Sequence, residues 1–380
     1  MSGTNQLGND TVTEVEIGRA KRGRRAYGFD DVAVVPSRRT RDPEEVSIAW
    51  QIDAYRFELP FMAAPMDSVV SPATAIAIGK LGGVGVLDLE GLWTRYENPE
   101  PLLQEIAGLD QATATKRLQE IYSQPIQEEL ISARIKEIRA AGVTVAGALS
   151  PQRTAQYHAL AVAAGLDLLV IRGTTVSAEH VSAKSEPLNL KQFIYDLDIP
   201  VVVGGCATYQ ASLHLMRAGA AGVLVGFGGG STQTTRDTLG IAVPMATAVS
   251  DVAAARRDYL DESGGRYVHV IADGAMGVSG DIAKAIACGA DAVMIGSPLA
   301  RASEAPGHGF HWGAEAHHGS VPRGHRTDVG TVGTLEQILV GPSHAPDGSM
   351  NLAGALRRAM GTCGYTELKG FQRVEVTVGE

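Results

Sequence analysis

The amino-acid sequence predicts an α/β protein built as a single-domain (β/α)8 barrel, the TIM-barrel fold class. Eight short apolar runs recur along the chain, segments of helical composition separate them, and glycine marks several helix-to-strand junctions. The runs are continuously apolar rather than alternating, which is typical of parallel strands covered on both faces. An open, doubly wound sheet is the main alternative, and the number and even spacing of the runs favour the closed barrel.

The predicted strands are each five or six residues long. In chain order they are Leu59–Ala64, Gly83–Leu87, Val143–Ala148, Asp167–Ile171, Ile199–Gly204, Gly222–Gly226, Tyr267–Ala272 and Asp291–Ile295. The segments of helical composition are Pro72–Leu81, Pro101–Ala141, Pro151–Gly165, Thr208–Gly219, Val243–Asp258 and Gly280–Gly289. Glycines at positions 142, 165, 219 and 289 follow small residues at the helix ends. Glycine adopts the left-handed conformation that ends a helix at little cost, so each should turn the chain into the next strand.

One domain accounts for most of the chain, with three segments outside the regular pattern. Residues 1–12 are polar and predict a flexible N-terminus, and residues 13–380 form the barrel domain. Residues 88–135 predict a polar helical insertion outside the barrel. Residues 305–330 predict a mobile, glycine-rich flap.

Composition narrows the function classes. The 380 residues carry a formal net charge of −9 and no long basic run, so nucleic acid is a poor candidate partner. Backbone amides can still bind a small anion in an acidic protein. No apolar run approaches the roughly 18 residues that span a bilayer, and the polar N-terminal segment predicts no secretory signal, so we expect no membrane partner. The three cysteines lie far apart, without a C-x-x-C motif, which favours a cytoplasmic protein.

A glycine-rich loop follows the sixth predicted strand. Over Gly226–Arg236 it reads Gly-Phe-Gly-Gly-Gly-Ser-Thr-Gln-Thr-Thr-Arg. Serine stands at position 231, where a dinucleotide fingerprint would need glycine, and the Gly-Lys-Ser/Thr end of a P-loop is missing. Consecutive glycines and a serine after a buried strand expose backbone N–H groups to an anion, so we interpret this segment as a phosphate-binding loop. The alternative is a flexible solvent loop.

Asp273 ends the seventh predicted strand. Its carboxylate could accept hydrogen bonds from both hydroxyls of a ribose. The alternative is a helix N-cap, but Ser279 and Asp281 are better placed to cap the following helix. Gly296 and Ser297 follow the eighth strand, and barrels often bind phosphate at the loops after strands seven and eight. These loops together predict a site for a phosphorylated ligand with a ribose.

Histidines and cysteines give weaker signals. A metal site made of His311, Glu315 and the pair His317–His318 is conceivable, but no metalloenzyme spacing is present, and a mobile lid is the favoured interpretation. Cys206 follows the fifth strand and could face the site, although a small buried residue is the favoured interpretation. Cys288 precedes a strand, at the end of the barrel that rarely performs chemistry.

Several segments together resemble the IMP dehydrogenase/GMP reductase family. The likeness spans residues 24–375 and is closest to the short IMP-dehydrogenase-related branch that lacks the inserted CBS pair. The segments that carry it are Ala26–Val32, Ala64–Val69, Leu81–Val86, Gly226–Arg236, Ile271–Ala285 and Ala355–Gly364.

The resemblance implies a tetramer of barrels that binds a purine mononucleotide (IMP, GMP or XMP) with NAD or NADP stacked beside it. It assigns the phosphate to Ser231, Gly274, Gly296 and Ser297, the ribose to Asp273, and the base to the backbone around Gly313, Ala314 and Glu315. It assigns the cofactor to Arg172, Gly226 and Gly228. Gly230 is a further predicted substrate-binding residue. The family also has a backbone-carbonyl site for a monovalent cation beside the loop, and the sequence leaves open whether this chain keeps it.

Gln233 is the main departure from the family pattern. It stands where the family has its nucleophilic cysteine, and Thr234-Thr235-Arg236 fixes the register. The family's thiolate attacks the purine C2 to form the covalent intermediate through which hydride passes, and an amide cannot replace it. Losing such a nucleophile typically lowers the rate by several orders of magnitude. Thr235 and Arg236 remain to order a bound nucleotide, and Cys206 is at best a speculative replacement.

Other departures affect the flap and the cofactor side. The dehydrogenases carry an Arg-Tyr pair that helps activate water, and none occurs between Phe310 and Gly330. Arg323 occupies the place of a flap glutamate on which the reductases rely. Arg172 stands where an aspartate usually meets the cofactor, and Ala275 replaces a phosphate-loop glycine.

Three functional hypotheses follow. The first is a purine nucleotide oxidoreductase that uses NAD or NADP, with oxidation of IMP to XMP and deamination of GMP to IMP equally favoured. The second is a catalytically silent nucleotide-binding paralogue that regulates or assembles with an active family member. The third and weakest is a flavin-dependent barrel oxidoreductase, since FMN uses the same phosphate site.

Overall fold

A closed barrel of eight parallel strands forms the centre of the computed structural model, which describes residues 14–177, 188–227, 230, 232, 235–318 and 326–379. The strands are β1 Phe61–Ala63, β2 Val84–Asp88, β3 Ala146–Leu149, β4 Leu168–Arg172, β5 Val201–Cys206, β6 Gly222–Val225, β7 His269–Asp273 and β8 Ala292–Ile295. Each strand pairs with the next, and β8 pairs with β1 through Val293 opposite Phe61 and Ile295 opposite Ala63. All eight predicted strands and the closed barrel are therefore confirmed.

One helix follows each strand along the chain. These helices are α1 Pro72–Lys80, α2 Glu128–Ala140, α3 Pro151–Ala164, α4 Leu190–Tyr195, α5 Tyr209–Arg217, α6 Met245–Glu262, α7 Ser279–Ala287 and α8 Leu352–Thr362. The sequence analysis missed α4, whose start is marked by Asn189 accepting a hydrogen bond from the Gln192 amide at 3.2 Å. The four junction glycines all have positive φ, between 74° and 117°, so their predicted helix-ending role is confirmed.

Shorter elements surround this framework. Short helices span Thr235–Leu239, Ser297–Ala300, Leu335–Leu339 and Leu368–Phe371. Antiparallel strand pairs join Glu14–Gly18 to Lys21–Arg24, Val32–Val34 to Val376–Val378, Trp50–Ile52 to Tyr55–Phe57, and Phe310–Trp312 to Arg326–Asp328. No helix among the described residues is long and apolar enough to cross a membrane.

The predicted helical stretch Pro101–Ala141 is divided into three helices. Glu100–Gly108 and Gln111–Ile121 precede α2, and Asp110 caps the second of them by accepting the Thr113 amide hydrogen bond at 2.9 Å. We call the pair formed by Glu100–Gly108 and Gln111–Ile121 the insertion helices. They pack away from the barrel core in a separate apolar cluster made of Leu92, Leu103, Ile106, Leu118, Ile121, Tyr122, Trp312 and Ala316.

The strand pair of the predicted flap is anchored on the insertion helices. Trp312 is buried in their apolar cluster. Arg326, on the partner strand, donates hydrogen bonds to the carbonyl oxygens of Ile106 and Leu109, at the end of the first insertion helix. Its guanidinium also lies 4.0 Å from the centre of the Phe310 ring. The mobility predicted for residues 305–330 and the flexibility predicted for residues 1–12 stay predictions.

Candidate functional site

A cavity of about 220 Å³ opens at the carboxyl ends of the barrel strands. The ends of β1, β4, β7 and β8 and the loops that follow β6, β7 and β8 contribute to it. Its lining includes Met66, Arg172, Gly230, Thr232, Asp273, Gly274, Ala275, Gly296, Ser297 and His311. The structure thus brings together the predicted phosphate residues Gly274, Gly296 and Ser297, the predicted substrate-binding residue Gly230 and the predicted ribose residue Asp273.

Two backbone features shape this cavity. Gly226 has φ +146°, and a Cβ there would lie 2.2 Å from the Asp273 carbonyl oxygen, so only glycine lets the chain leaving β6 pass this close to β7. Ala275 has φ +59°, a left-handed conformation that costs a residue with a Cβ roughly 1–2 kcal/mol. Ala275 therefore keeps a glycine-like backbone in the wall of the cavity.

Asp273 forms an ion pair across the mouth of the barrel. Its Oδ2 accepts a hydrogen bond from Arg172 Nε at 3.1 Å, and the two side chains are 11% and 22% exposed. Burial alone would lower the pKa of Arg172. The charge and the hydrogen bond of Asp273 outweigh burial, and the pKa of Arg172 therefore lies above its usual value. Asp281 caps α7 by accepting the amide hydrogen bonds of Gly277 and Val278. Asp273 is therefore not the N-cap of this helix, and that alternative is excluded. Ser279, the other residue expected to cap the helix, is its first helical residue instead.

His311 belongs to the wall of the cavity. Its Nδ1 lies 2.8 Å from Ser68 Oγ, and burial, together with the charge of Arg172, lowers the pKa of His311 to about 3. The imidazole is therefore neutral at physiological pH. Within the described part of the chain, no three His, Cys, Asp or Glu side chains are placed to hold a metal ion.

A second, larger cavity of about 700 Å³ adjoins the first, and Arg172 lines both. It lies between the ends of β2, β3 and β4, the turn that follows the insertion helices, and the residues after Trp312. The lining is Pro65, Asp88, Glu90, Arg95, Gln119, Tyr122, Ser123, Ala148, Leu149, Ser150, Gln152, Arg153, Arg172, Ala314, His317 and His318.

The predicted base residues lie between the two cavities. A Cβ on Gly313 would lie 3.1 Å from Met66 Cε, and Met66 lines the first cavity. Ala314 lines the second cavity. Glu315 Oε1 accepts a hydrogen bond from Thr174 Oγ1 at 3.1 Å. This segment therefore stands where a base and a second ligand could meet.

Buried carboxyl groups on one side of the larger cavity were missed by the sequence analysis. Asp67 accepts hydrogen bonds from Tyr122 Oη at 2.6 Å and from the Leu92 amide at 2.9 Å, and burial raises the pKa of Asp67 to about 6. Burial, with the charges of Asp67 and Glu90, raises the pKa of Asp88 well above its usual value. The signal was available, because Asp88 and Glu90 follow the second strand at the catalytic end of a barrel.

The aromatic side of the larger cavity joins the flap to the insertion helices. Tyr122 stacks on His317 with ring centres 3.6 Å apart and accepts a hydrogen bond from Trp312 Nε1 at 2.9 Å. Burial lowers the pKa of His317 to about 3, so this imidazole is also neutral.

Cys206 ends β5 and is fully buried. Burial raises the pKa of its thiol to about 12, and Sγ donates to the Leu224 carbonyl oxygen at 3.4 Å. The favoured interpretation, a small buried residue, is confirmed, and a thiolate at this position is disfavoured. Thr235 is buried at the start of the short helix that follows the glycine-rich loop. Four predicted site residues lie outside the described residues: Gly228, Ser231, Gln233 and Arg323.

These features define the chain as a (β/α)8 barrel with a ligand site at the carboxyl ends of its strands, the arrangement of barrel enzymes. Comparison with known proteins identifies the family. A model of the IMP dehydrogenase/GMP reductase domain matches residues 26–378, and the chain therefore belongs to this family of oxidoreductases.

Individual relatives agree with this assignment. The chain is 53% identical to an uncharacterized oxidoreductase of Mycolicibacterium smegmatis, over 96% of this chain and all of the relative. It is 26% identical to the inosine-5′-monophosphate dehydrogenase of Methanocaldococcus jannaschii, over 92% of this chain and 91% of that enzyme. The crystal structure of an IMP dehydrogenase/GMP reductase-like protein from Corynebacterium glutamicum superimposes with a TM-score of 0.91 at 51% identity, covering 96% of this chain and 98% of that one.

Proposed function

We propose that this chain is a purine nucleotide oxidoreductase that uses NAD or NADP, either oxidising IMP to XMP or reducing GMP to IMP with release of ammonia. The observation that carries the proposal is the pair of adjoining cavities that share Arg172 at the mouth of the barrel. The volume of the larger cavity lies in the range of small-molecule pockets. Hydride transfer needs two ligands held side by side, and adjoining cavities meet that requirement.

We assign the mononucleotide to the smaller cavity. Its phosphate would meet the backbone near Gly274 and Gly296, with Ser297 as a hydroxyl donor. Asp273 would accept hydrogen bonds from the ribose hydroxyls. Its carboxylate would then be shared between these hydroxyls and Arg172, which already donates a hydrogen bond to it. The purine would lie beside Gly313, facing the larger cavity.

The nicotinamide cofactor fits the larger cavity, and when bound it would supply or accept the hydride. Arg95, Arg153 and Arg172 provide cationic donors for its phosphates, and Tyr122 and His317 provide an aromatic wall. Ala314 lines this cavity next to the proposed purine site, so the reacting rings would meet there.

A catalytically silent, nucleotide-binding paralogue is the second candidate. Gln233 replaces the family's nucleophile, and Cys206, with its high pKa, offers no thiolate at the end of β5. The nucleotide-binding residues are retained in the same chain. Such a protein would bind IMP or GMP without turnover and would join or regulate an active relative.

The test follows reduced nicotinamide by its absorbance and nucleotide binding by calorimetry. The purified chain is given IMP with NAD, and separately GMP with NADPH, beside the variants Gln233→Cys and Asp273→Asn. Asp261→Asn, an exposed position on α6, is the matched control. Turnover by the native chain supports the oxidoreductase and requires a route without a thiolate.

Other outcomes separate the candidates. Silence of the native chain with activity in Gln233→Cys supports the silent paralogue, provided that IMP or GMP binds and Asp273→Asn weakens that binding. Absence of purine mononucleotide binding at micromolar concentration refutes both candidates. The homotetramer implied by the family resemblance belongs to the same proposal, and light scattering of the purified chain would test it.

A further inference from the structure

Among the residues that the structure describes, guanidinium groups outnumber carboxyl groups around the larger cavity. Arg95, Arg153 and Arg172 line it, against Asp88 and Glu90. Burial and neighbouring carboxylates raise the pKa of Asp88, which reduces its negative charge at a given pH. The balance of charge therefore favours an anionic occupant.

The three arginines differ in how far they are already neutralised. Arg172 is paired with Asp273. Arg95 donates to the carbonyl oxygens of Glu90 and Gln124, and its charge acts on the buried Asp67 and Asp88.

Arg153 stands apart from the other two. Its only hydrogen bond among the described residues goes from Nη1 to the amide oxygen of Gln156 at 3.1 Å, and it forms no ion pair with a carboxylate there. Glu90 shares the same cavity, but its carboxylate instead accepts the Ser150 amide hydrogen bond at 2.5 Å. Arg153 is thus the exposed guanidinium of the cavity that no carboxylate among the described residues neutralises.

We propose that the larger cavity selects a dinucleotide carrying an extra phosphate, NADP rather than NAD, and that Arg153 binds its 2′-phosphate. This inference rests on the proposed function, which supplies the identity of the occupant. The reacting nicotinamide must lie next to the first cavity, where Arg172 lines both cavities. The adenosine end is then directed toward residues that line only the larger cavity, Arg153 among them.

Arg95 and Arg153 then serve different phosphates. Arg95 is fixed by two backbone carbonyls, so it can meet the pyrophosphate with little loss of side-chain freedom. Arg153 bonds only to a neighbouring amide and can turn toward a phosphate monoester. A charge-assisted hydrogen bond to that dianion should raise affinity about tenfold at this exposed position.

The experiment measures dinucleotide binding by calorimetry on the whole chain in the presence of GMP. NADP+ and NAD+ are compared, because neither oxidised cofactor reacts with GMP. A second arm compares adenosine 2′,5′-bisphosphate with 5′-AMP in the absence of GMP. Both arms are repeated with Arg153→Gln and with the control Arg257→Gln, which alters an exposed arginine on α6. Thermal unfolding verifies that each variant is folded.

We expect NADP+ to bind about tenfold more tightly than NAD+, and Arg153→Gln to remove that preference without weakening NAD+. Arg257→Gln should change neither affinity. Equal affinities in the native chain, or an equal loss for both dinucleotides in Arg153→Gln, would overturn the inference. If GMP binds and both dinucleotides bind but without preference, the proposed function stands and only this inference fails. If GMP itself does not bind, the proposed function fails, and the bisphosphate arm still decides the role of Arg153.

Discussion

Replacing Arg172 with methionine should leave a buried carboxylate without its cation. The guanidinium is hydrogen-bonded to Asp273 at 3.1 Å, and the carboxylate side chain is only 11% exposed. Breaking a buried ion pair by removing one partner typically costs about 3–5 kcal/mol. Because Arg172 is 22% exposed, water partly compensates the remaining charge. We therefore expect Arg172→Met to lower the free energy of unfolding by about 2–3 kcal/mol at pH 7.

A double substitution provides a second signature of the same pair. Restoring neutrality by the double change Arg172→Met with Asp273→Asn should recover most of the stability at pH 7.

Urea denaturation followed by circular dichroism measures both effects. Arg217→Met is the matched control, because Arg217 pairs with Glu262 and the two side chains are 46% and 47% exposed. Exposed pairs contribute about 0–1 kcal/mol, so the control should lose little. A loss below about 1 kcal/mol in Arg172→Met, or a double variant no more stable than Arg172→Met, would refute the ion pair as the force that holds Asp273.

Three further predictions concern other parts of the site. Because burial raises the pKa of Asp67 to about 6 from 3.8, its contribution to stability is present below pH 4 and is lost as the pH rises through 6. The stability lost amounts to about 3 kcal/mol. Asp67→Asn should make the free energy of unfolding, measured by urea denaturation, less dependent on pH over that range. The Cys206 thiol, with its pKa of about 12, should react with a disulfide reagent only after unfolding, and a fast reaction that Cys206→Ala abolishes would contradict its burial. Gly226→Ala should destabilise the chain by several kcal/mol, because its Cβ would lie 2.2 Å from the Asp273 carbonyl oxygen. Gly277→Ala is the control and should be tolerated, because open space surrounds that position. Thermal unfolding measures both variants.

The barrel could be predicted from the sequence because its strands are covered on both faces. Complete burial gives continuous apolar runs, such as Ile199–Gly204, that stand out from the polar helices between them. The ends of the strands were less well defined, since hydrogen bonding to neighbouring strands extends β5 to Cys206 and β2 to Asp88. Helix α4 was missed because only six residues form it, too few for a clear helical period.

The smaller cavity could be predicted more completely than the larger one, for one physical reason. Residues such as Asp273 and Gly296 follow their own strands directly, so the barrel rule places them at the mouth. Tyr122 reaches Asp67 from 55 positions along the chain. Contacts of this kind depend on how the insertion helices pack, which no local pattern specifies.

Arg326 links the strand pair of the predicted flap to the insertion helices. Its guanidinium bonds to carbonyl oxygens at the end of helix Glu100–Gly108, about 220 positions earlier in the chain, while Trp312 fills the apolar cluster beneath. If either segment were replaced by the corresponding segment of another barrel, the Arg326 guanidinium would lose its carbonyl partners or the apolar cluster would lose the Trp312 indole. A chimera that transplants one must transplant both, and hydrogen exchange should show Glu100–Gly108 and Phe310–Trp312 opening together as one cooperative unit.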